Sequence, residues 1–304
     1  MNFRQIEYFV NVAELGSFSR ASAVMRTTQP AISRQVRALE EGLNLQLFHR
    51  NGRGAQPTDA GRRFLVYAKG ILHQLDGARH AVTGSDSDLV GKIAIGLPPS
   101  IGHVLTMPIV RAVRERYRNA SLSIIEAFSL PLQERLLAGR IDVAVIHNPS
   151  PSPLLKIEPI LTEQLCLLSA KRGAKRGALP FASLDQYDLI SPLAPHPIRS
   201  LVEAEAARCN IKLNIALEID AVANMLQLVR EDYGHAVVPY NVVRAGMSGA
   251  GIIARLITRP TLKSTVSLVT AARRQHTLLS EGIVDIVRQV LQEELHPAPP
   301  RRSR

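Results

Sequence analysis

The run Ser17-Phe-Ser-Arg-Ala-Ser-Ala-Val-Met-Arg-Thr-Thr-Gln-Pro-Ala-Ile-Ser-Arg-Gln-Val-Arg-Ala-Leu39 limits the fold of this chain more than any other stretch. Its spacing predicts two short helices joined by a tight polar turn. In the second helix Ile32, Val36 and Leu39 stand at i, i+4 and i+7 and share one buried stripe, leaving Gln29, Pro30, Ser33, Arg34 and Arg37 on the other side. Pro30 suits the first helical turn, where a missing N–H costs nothing. Upstream, Ile6, Phe9, Val10 and Ala13 form the apolar stripe of an earlier helix, and Ser17 and Ser19 offer capping oxygens to the helix after it. Three small helices around one core predict a helix-turn-helix. Its outward face carries arginine and glutamine, which grip base edges bidentately, and serine, which bonds to bases or phosphates. An ordinary amphipathic surface helix would also be polar outside, so the assignment leans on what surrounds it.

Downstream, Leu47-Phe-His-Arg-Asn-Gly-Arg-Gly54 sets an Asn-Gly pair between Arg50 and Arg53. Asn-Gly favours the φ > 0 positions of a hairpin turn, which predicts an arginine-tipped wing reaching phosphates or the minor groove. Alone, the two arginines would be solvated turn charges. Pro57-Thr-Asp-Ala-Gly61 then reads as a helix start, with Thr58 as cap and Asp59 near the positive end of the dipole. Along that helix Phe64, Ala68, Ile71, Leu75, Ala78 and Val82 alternate steps of four and three before Gly84 and Ser85-Asp-Ser-Asp88 end it. Such a seam serves self-association, and it equally fits a helix packed on its own domain. Pairing is the expectation, since paired heads gain from effective concentration.

A length of 304 residues exceeds one small DNA-binding module and predicts two or three domains. The formal net charge of +11 favours a polyanionic partner, nucleic acid first. Part of that charge lies in Lys171-Arg-Gly-Ala-Lys-Arg176 and in the tail Arg301-Arg-Ser-Arg304 behind Pro297, Pro299 and Pro300, both read as solvated. Cys166 and Cys209 are too few for a disulfide framework, lack metal-ligand spacing and read as buried fillers. No run approaches eighteen apolar residues and the chain opens on a helix-like segment, so no membrane partner and a reducing cytoplasm are expected.

From Gly91 onward strand-like runs (Lys92–Leu97, Leu122–Glu126, Val143–Ile146, Leu165–Leu168, Ala236–Val238, Thr265–Val269) alternate with amphipathic stretches at Met107–Tyr117, Leu132–Ala138, Ile198–Cys209, Val222–Glu231 and Leu279–Leu295. Alternation of this kind predicts parallel sheets covered by helices, in two lobes with crossings near Glu158–Glu163 and Arg259–Thr265. The cleft between the lobes is the default small-molecule site.

Ser17-Phe-Ser-Arg-Ala-Ser, Thr28-Gln-Pro-Ala-Ile-Ser-Arg-Gln-Val, Leu39-Glu-Glu, Leu47-Phe-His-Arg50 and Pro57-Thr-Asp-Ala-Gly61 together resemble the head of LysR-type transcriptional regulators, and the resemblance covers essentially the whole chain. It implies an N-terminal all-α winged helix-turn-helix plus a long linker helix, followed by a two-lobed α/β periplasmic-binding-protein-like effector domain. The corresponding spans are 1–58, 59–88 and 89–304, with the first lobe at about 91–162 and 267–296 and the second at about 163–266. It also implies a dyad-symmetric double-stranded DNA operator, a homodimer or homotetramer, and RNA polymerase as a protein partner. Gln29, Pro30, Ser33 and Arg34 would face DNA, with Arg37 nearby, Ser17 and Thr28 at the helix starts, and Arg50 and Arg53 in the wing.

The same resemblance maps an effector pocket onto Ser100, Ser129 and His196, for a small anionic metabolite of unknown identity and with no cofactor. Serine hydroxyls beside helix N-termini are good donors to an anion. Pro98 and Pro99 remove backbone donors from the first loop, and Asp232 stands where the family usually has glycine, so Ser100 and Ser129 also read as caps in a vestigial cleft. Ile95-Gly-Leu-Pro-Pro-Ser100, Leu136-Leu-Ala-Gly-Arg-Ile-Asp142 and Ile253-Ala-Arg-Leu-Ile-Thr-Arg-Pro260 are similar to the branch that controls nitrogen assimilation, whose members need not depend on a coinducer. An enzyme lacks its motifs: Gly84 to Gly91-Lys92 fails phosphate-loop spacing, Gly246-Met-Ser-Gly-Ala-Gly251 fails the dinucleotide fingerprint, and Asp142, Asp188 and Asp220 read as polar strand ends. A nucleoid-type protein would share the charge but needs neither a base-reading face nor a two-lobed body.

Overall fold

The computed structural model describes residues 1–49, 55–83, 91–172, 177–244, 246, 249–272 and 278–295. The head is built from α1 (Phe3–Leu15), α2 (Phe18–Val24) and α3 (Gln29–Leu43). A reciprocal cap starts α1: the Gln5 N–H donates to Asn2 Oδ1 at 2.9 Å and the Asn2 N–H to Gln5 Oε1 at 2.8 Å. Gly16, at φ 63°, ends that helix in the left-handed conformation that glycine adopts without strain. The Ser17 hydroxyl then accepts the Arg20 N–H and starts α2. Ile6, Phe9 and Val10 from α1 are buried together with Ile32, Val36 and Leu39 from α3, as their spacing predicts, and Ala13 packs half-buried beside them. Phe9 is the hub, its ring centroid 5.3 Å from that of Phe48 and 5.1 Å from that of Phe64.

The wing's base is in place. Phe48 pairs with Pro57 in an antiparallel bridge and the His49 N–H donates to Gln56 O at 2.9 Å. The Asn51-Gly52 tip with Arg50 and Arg53 lies outside the described residues. The linker helix α4 (Asp59–Thr83) begins as its sequence predicts, with Thr58 Oγ1 accepting the Gly61 N–H at 3.0 Å and donating to Gln46 O at 2.7 Å. Gly61 is required there, because a Cβ would overlap the Leu47 carbonyl.

The α4 stripe is used differently from the expected uniform seam. Phe64, Ala68 and Ile71 pack into the core of the chain's own head, Leu75 is half-buried, Ala78 is exposed, and the Val82 side chain lies outside the described residues. A stripe at steps of three and four marks one apolar face without saying what covers it, and Phe9 and Phe48 supply a nearer partner than a second chain. An ion pair between Lys69 and Glu14 holds the same contact from its edge. Further along, Gly70 sits against the Ala138 carbonyl, with Gln74 beside Gly139, so α4 also touches the first lobe of the body.

That lobe contains β1 (Gly91–Leu97), α5 (Pro99–Arg116), β2 (Ala120–Glu126), α6 (Ser129–Leu137) and β3 (Val143–His147). β4 (Leu155–Ala170) leaves it for the second lobe, which contains β5 (Leu179–Pro180), β6 (Asp188–Ser191), α7 (Pro197–Arg208), β7 (Asn214–Glu218), α8 (Val222–Arg230), β8 (Ala236–Pro239), α9 (Asn241–Arg244) and β9 (Ile252–Thr258). The chain returns through β10 (Lys263–Ala271) and closes the first lobe with α10 (Leu278–Leu295).

The sheets are mixed, which corrects the expectation of parallel ones. Strands run in the order β2-β1-β3-β10-β4-β9-β5, with β8 also on β4, and β6 and β7 form a separate parallel pair. β1 is parallel to β2 and β3, but β10 is antiparallel to both β3 and β4. The reason is the crossing: β4 pairs with β10 as far as Gln164 and with β8 and β9 from Leu165 onward, so the outgoing and returning strands must oppose each other. A strand buried on both faces reads as the same apolar run in either direction. Each lobe has its own core, around Ile95, Leu105 and Val287 in the first and around Leu167, Phe181 and Ile198 in the second.

Candidate nucleic-acid interface and interlobe cleft

Burying Ile32, Val36 and Leu39 at no more than 2% exposure fixes the rotation of α3 and therefore what it shows outside. Gln29, Pro30, Arg34 and Arg37 are exposed and Ser33 is half-exposed, on one continuous face. The exposed Thr28 precedes the helix and its side chain makes no capping bond, which leaves its hydroxyl unspent at the positive end of the helix dipole. Ser17 is half-buried and already engaged as the α2 cap. Glu40, part of the Leu39-Glu-Glu motif, has no role assigned from sequence. Its Oε1 accepts the Leu47 and Phe48 N–H groups at 2.7 and 3.1 Å and so ties the far end of α3 to the start of the wing. A helix face of guanidinium, amide and hydroxyl groups on a small rigid bundle can do major-groove chemistry.

In the body, the starts of α5, α6 and α7 converge on one cavity, and Ser100, Ser129 and His196 all line it. Ser100 and Ser129 are buried in its wall. The cavity is about 40 Å³, enough for a few waters and far below the roughly 300–1,000 Å³ of a drug-sized site. A larger molecule would need the lobes to part. Phe128, Ile198, Met225, Val238 and Val242 make most of the wall apolar.

His147, the last residue of β3, is the polar group that sequence reading missed. The strand extends one residue beyond the apolar run Val143–Ile146, to the strand end where α/β sheets place ligand groups. Its N–H donates to Ser129 Oγ at 3.2 Å, and its Nδ1 lies 3.3 Å from Ser264 Oγ and 3.9 Å from the Glu163 carboxyl. Burial, assisted by His196, pulls the His147 imidazole down from its ordinary 6.5 to about 4. Burial pulls His196 down to about 4 as well, against a raising influence from Asp220, and its ring stands edge-on to Phe128 at 5.0 Å. Both are neutral at pH 7. A histidine lowered in the folded state holds fewer protons there than when unfolded. Its stability contribution is therefore complete above pH 6.5 and falls away as pH drops toward 4. The denaturant midpoint of the body should fall across that window, and His147→Gln should make the profile shallower, with the His196 part remaining; a flat wild-type profile contradicts it.

Asp232 settles on the water side. It follows α8 at φ 65°, a left-handed position that suits glycine, and it is exposed and outside the cavity wall. The other acids singled out by sequence have structural partners: Asp142 Oδ2 accepts the Ala94 N–H at 2.7 Å, Asp220 Oδ1 the Leu193 N–H at 3.0 Å, and Asp188 Oδ1 accepts from Asn214 Nδ2 at 2.5 Å. Cys166 is fully buried in the second lobe and Cys209 is half-buried against Glu205. Among the described residues no helix is long and apolar enough to cross a membrane, and no cluster of His, Cys, Asp or Glu could hold a metal.

Comparison with known proteins agrees with both regions. Residues 3–62 match the family described as "Bacterial regulatory helix-turn-helix protein, lysR family", and residues 86–292 match "LysR substrate binding domain". The chain is 30% identical to the nitrogen assimilation regulatory protein nac of Escherichia coli (strain K12), over 96% of this chain and 95% of that one. It is 29% identical to nac of Klebsiella aerogenes over 94% of each. Among solved structures, full-length CbnR complexed with its target DNA superposes with a TM-score of 0.68 at 25% identity, covering 95% of this chain and 100% of that one.

Proposed function

The chain belongs to the LysR family and is a DNA-binding transcriptional regulator with an effector-binding body, not an enzyme, and we propose that it works in the cytoplasm as a homodimer or homotetramer on a dyad-symmetric operator. One observation carries the reading: the α3 face of Gln29, Pro30, Ser33, Arg34 and Arg37 is outward and held there by a buried opposite face. Gln29, Ser33 and Arg34 read bases, Thr28, Ser17 and Arg37 help position the helix, and Arg50 and Arg53 in the wing touch the backbone. The likeness to two nitrogen assimilation regulators supports target genes in nitrogen metabolism. RNA polymerase is the protein partner that we assign to a regulator of this kind.

Binding in the cleft would reach the head by a short path. Ser129 begins α6 in the cavity wall, and Ala138 and Gly139 just beyond the end of α6 touch Gly70 and Gln74 of α4. Sequencing the DNA bound by this protein in its own cells, with and without a changed nitrogen supply, tests the reading. So does affinity for the recovered site against random duplex at matched salt. A ratio of about a thousand or more is expected, and equal affinities would favour an architectural DNA-binding role.

Pairing is assigned to the part of α4 left over by the head: Leu75, Ala78 and Tyr67, of which Tyr67 is 62% exposed. Leu75→Glu should weaken self-association roughly tenfold and operator binding with it, with the head still folded. Unchanged mass and affinity would move the pairing surface elsewhere.

A further inference from the structure

We propose that His147 is the polar anchor of a binding site in the interlobe cleft for a small uncharged molecule, one with an apolar body and an amide or hydroxyl group, rather than for an anion. The inference rests on the reading of the body as a sensor. His147 is only 5% exposed, yet its Nε2 has no hydrogen-bond partner among the described residues and its ring forms part of the cavity wall. From the opposite lobe, His196 Nδ1 is likewise buried without a partner at the same cavity. A buried polar atom left unpaired is costly, so two of them on residues that line one cavity mark a place built to receive a complementary group.

The rest of the lining decides the charge. No lysine or arginine lines the cavity among the described residues, and the remaining polar groups are the hydroxyls of Ser100 and Ser129. Helix N-termini ordinarily favour anions, but Pro99 and Pro197 occupy the first turns of α5 and α7 and withhold an N–H each. With both imidazoles neutral at pH 7, a carboxylate would lose its water without meeting a cation. An amide or hydroxyl satisfies Nε2 whichever imidazole tautomer is present, since each can both donate and accept.

The site also has a lever. His147 Nδ1 approaches Ser264 at the start of β10 and Glu163 within β4, the two strands that pass between the lobes, and Asn148 Nδ2 donates to the same Ser264 Oγ at 3.2 Å. A ligand drawn to Nε2 therefore acts on the group that braces the crossing.

The test is titration of the full-length protein with isobutyramide and isobutyrate, two molecules of nearly equal shape, by ligand-observed NMR and calorimetry at pH 7.5. The amide should bind about tenfold or more tightly than the acid. His147→Leu should weaken the amide by about tenfold and erase the preference, while His147→Gln keeps most of it, with thermal unfolding showing that both variants are folded. Acid binding as tight as amide, amide binding indifferent to His147→Leu, or no amide binding each overturns the proposal. A panel of anionic metabolites run alongside separates the two readings. An anion that binds while the amide does not leaves the sensing role standing without this site, and no binder in either set with operator affinity unmoved removes the sensing role as well.

Discussion

Phe9→Ala should unfold the head while the body stays folded. Phe9 is fully buried and touches Phe48 at the base of the wing and Phe64 on the linker helix, so one side chain joins three elements that are separate in sequence. Truncating a buried phenylalanine costs about 3–5 kcal/mol once the cavity is included. A unit of this size has about that much stability in total. The two lobes have independent cores and do not draw on Phe9. Calorimetry should therefore show the head's contribution to unfolding lost and the body's transition kept, with operator binding abolished. Phe9→Leu, which keeps most of the volume, should cost less than about 1.5 kcal/mol and preserve binding. A Phe9→Ala protein with both transitions and native affinity would show that the head's core is not the one described.

The helix faces and caps of the head were legible in the sequence because those constraints are local. Ile32, Val36 and Leu39 lie within three turns of one helix, and Ser17 and Thr58 cap the helices that directly follow them. Where a residue's partner is distant in sequence, the reading thinned out. The α4 stripe was visible, but not that Phe64 meets Phe9, 55 positions earlier. The crossing strands were placed near the right residues, yet their direction was lost, because buried runs such as Leu165–Ala170 carry no period that distinguishes parallel from antiparallel neighbours. Strand β7 escaped because four of its five residues are exposed and give no apolar alternation. In the cleft, Ser100, Ser129 and His196 came from the resemblance and do line one cavity. His147 did not, since its significance depends on Ser264 and Glu163, which the fold brings to it from far along the chain.

Arg34→Ala should separate base reading from simple charge attraction. Arg34 is exposed, and its neighbours on the buried side, Ile32 and Val36, are untouched by the change. Alanine is also the better helix former, so the head's stability should not fall. If the guanidinium grips a base bidentately, operator affinity should drop by about 1–3 kcal/mol while affinity for random duplex barely moves. Arg34→Lys should recover little, because an ammonium keeps the charge and loses the fork. A phosphate contact gives the opposite pattern: both duplexes weaken alike, the salt dependence becomes shallower by about one counterion, and lysine rescues much of the loss. Arg37, three residues and just under one helical turn further along the same face, is the internal comparison, since a positioning role there predicts the second pattern. If Arg34→Ala behaved like Arg37→Ala on both duplexes, readout would have to shift toward Gln29 and Ser33 at the start of α3.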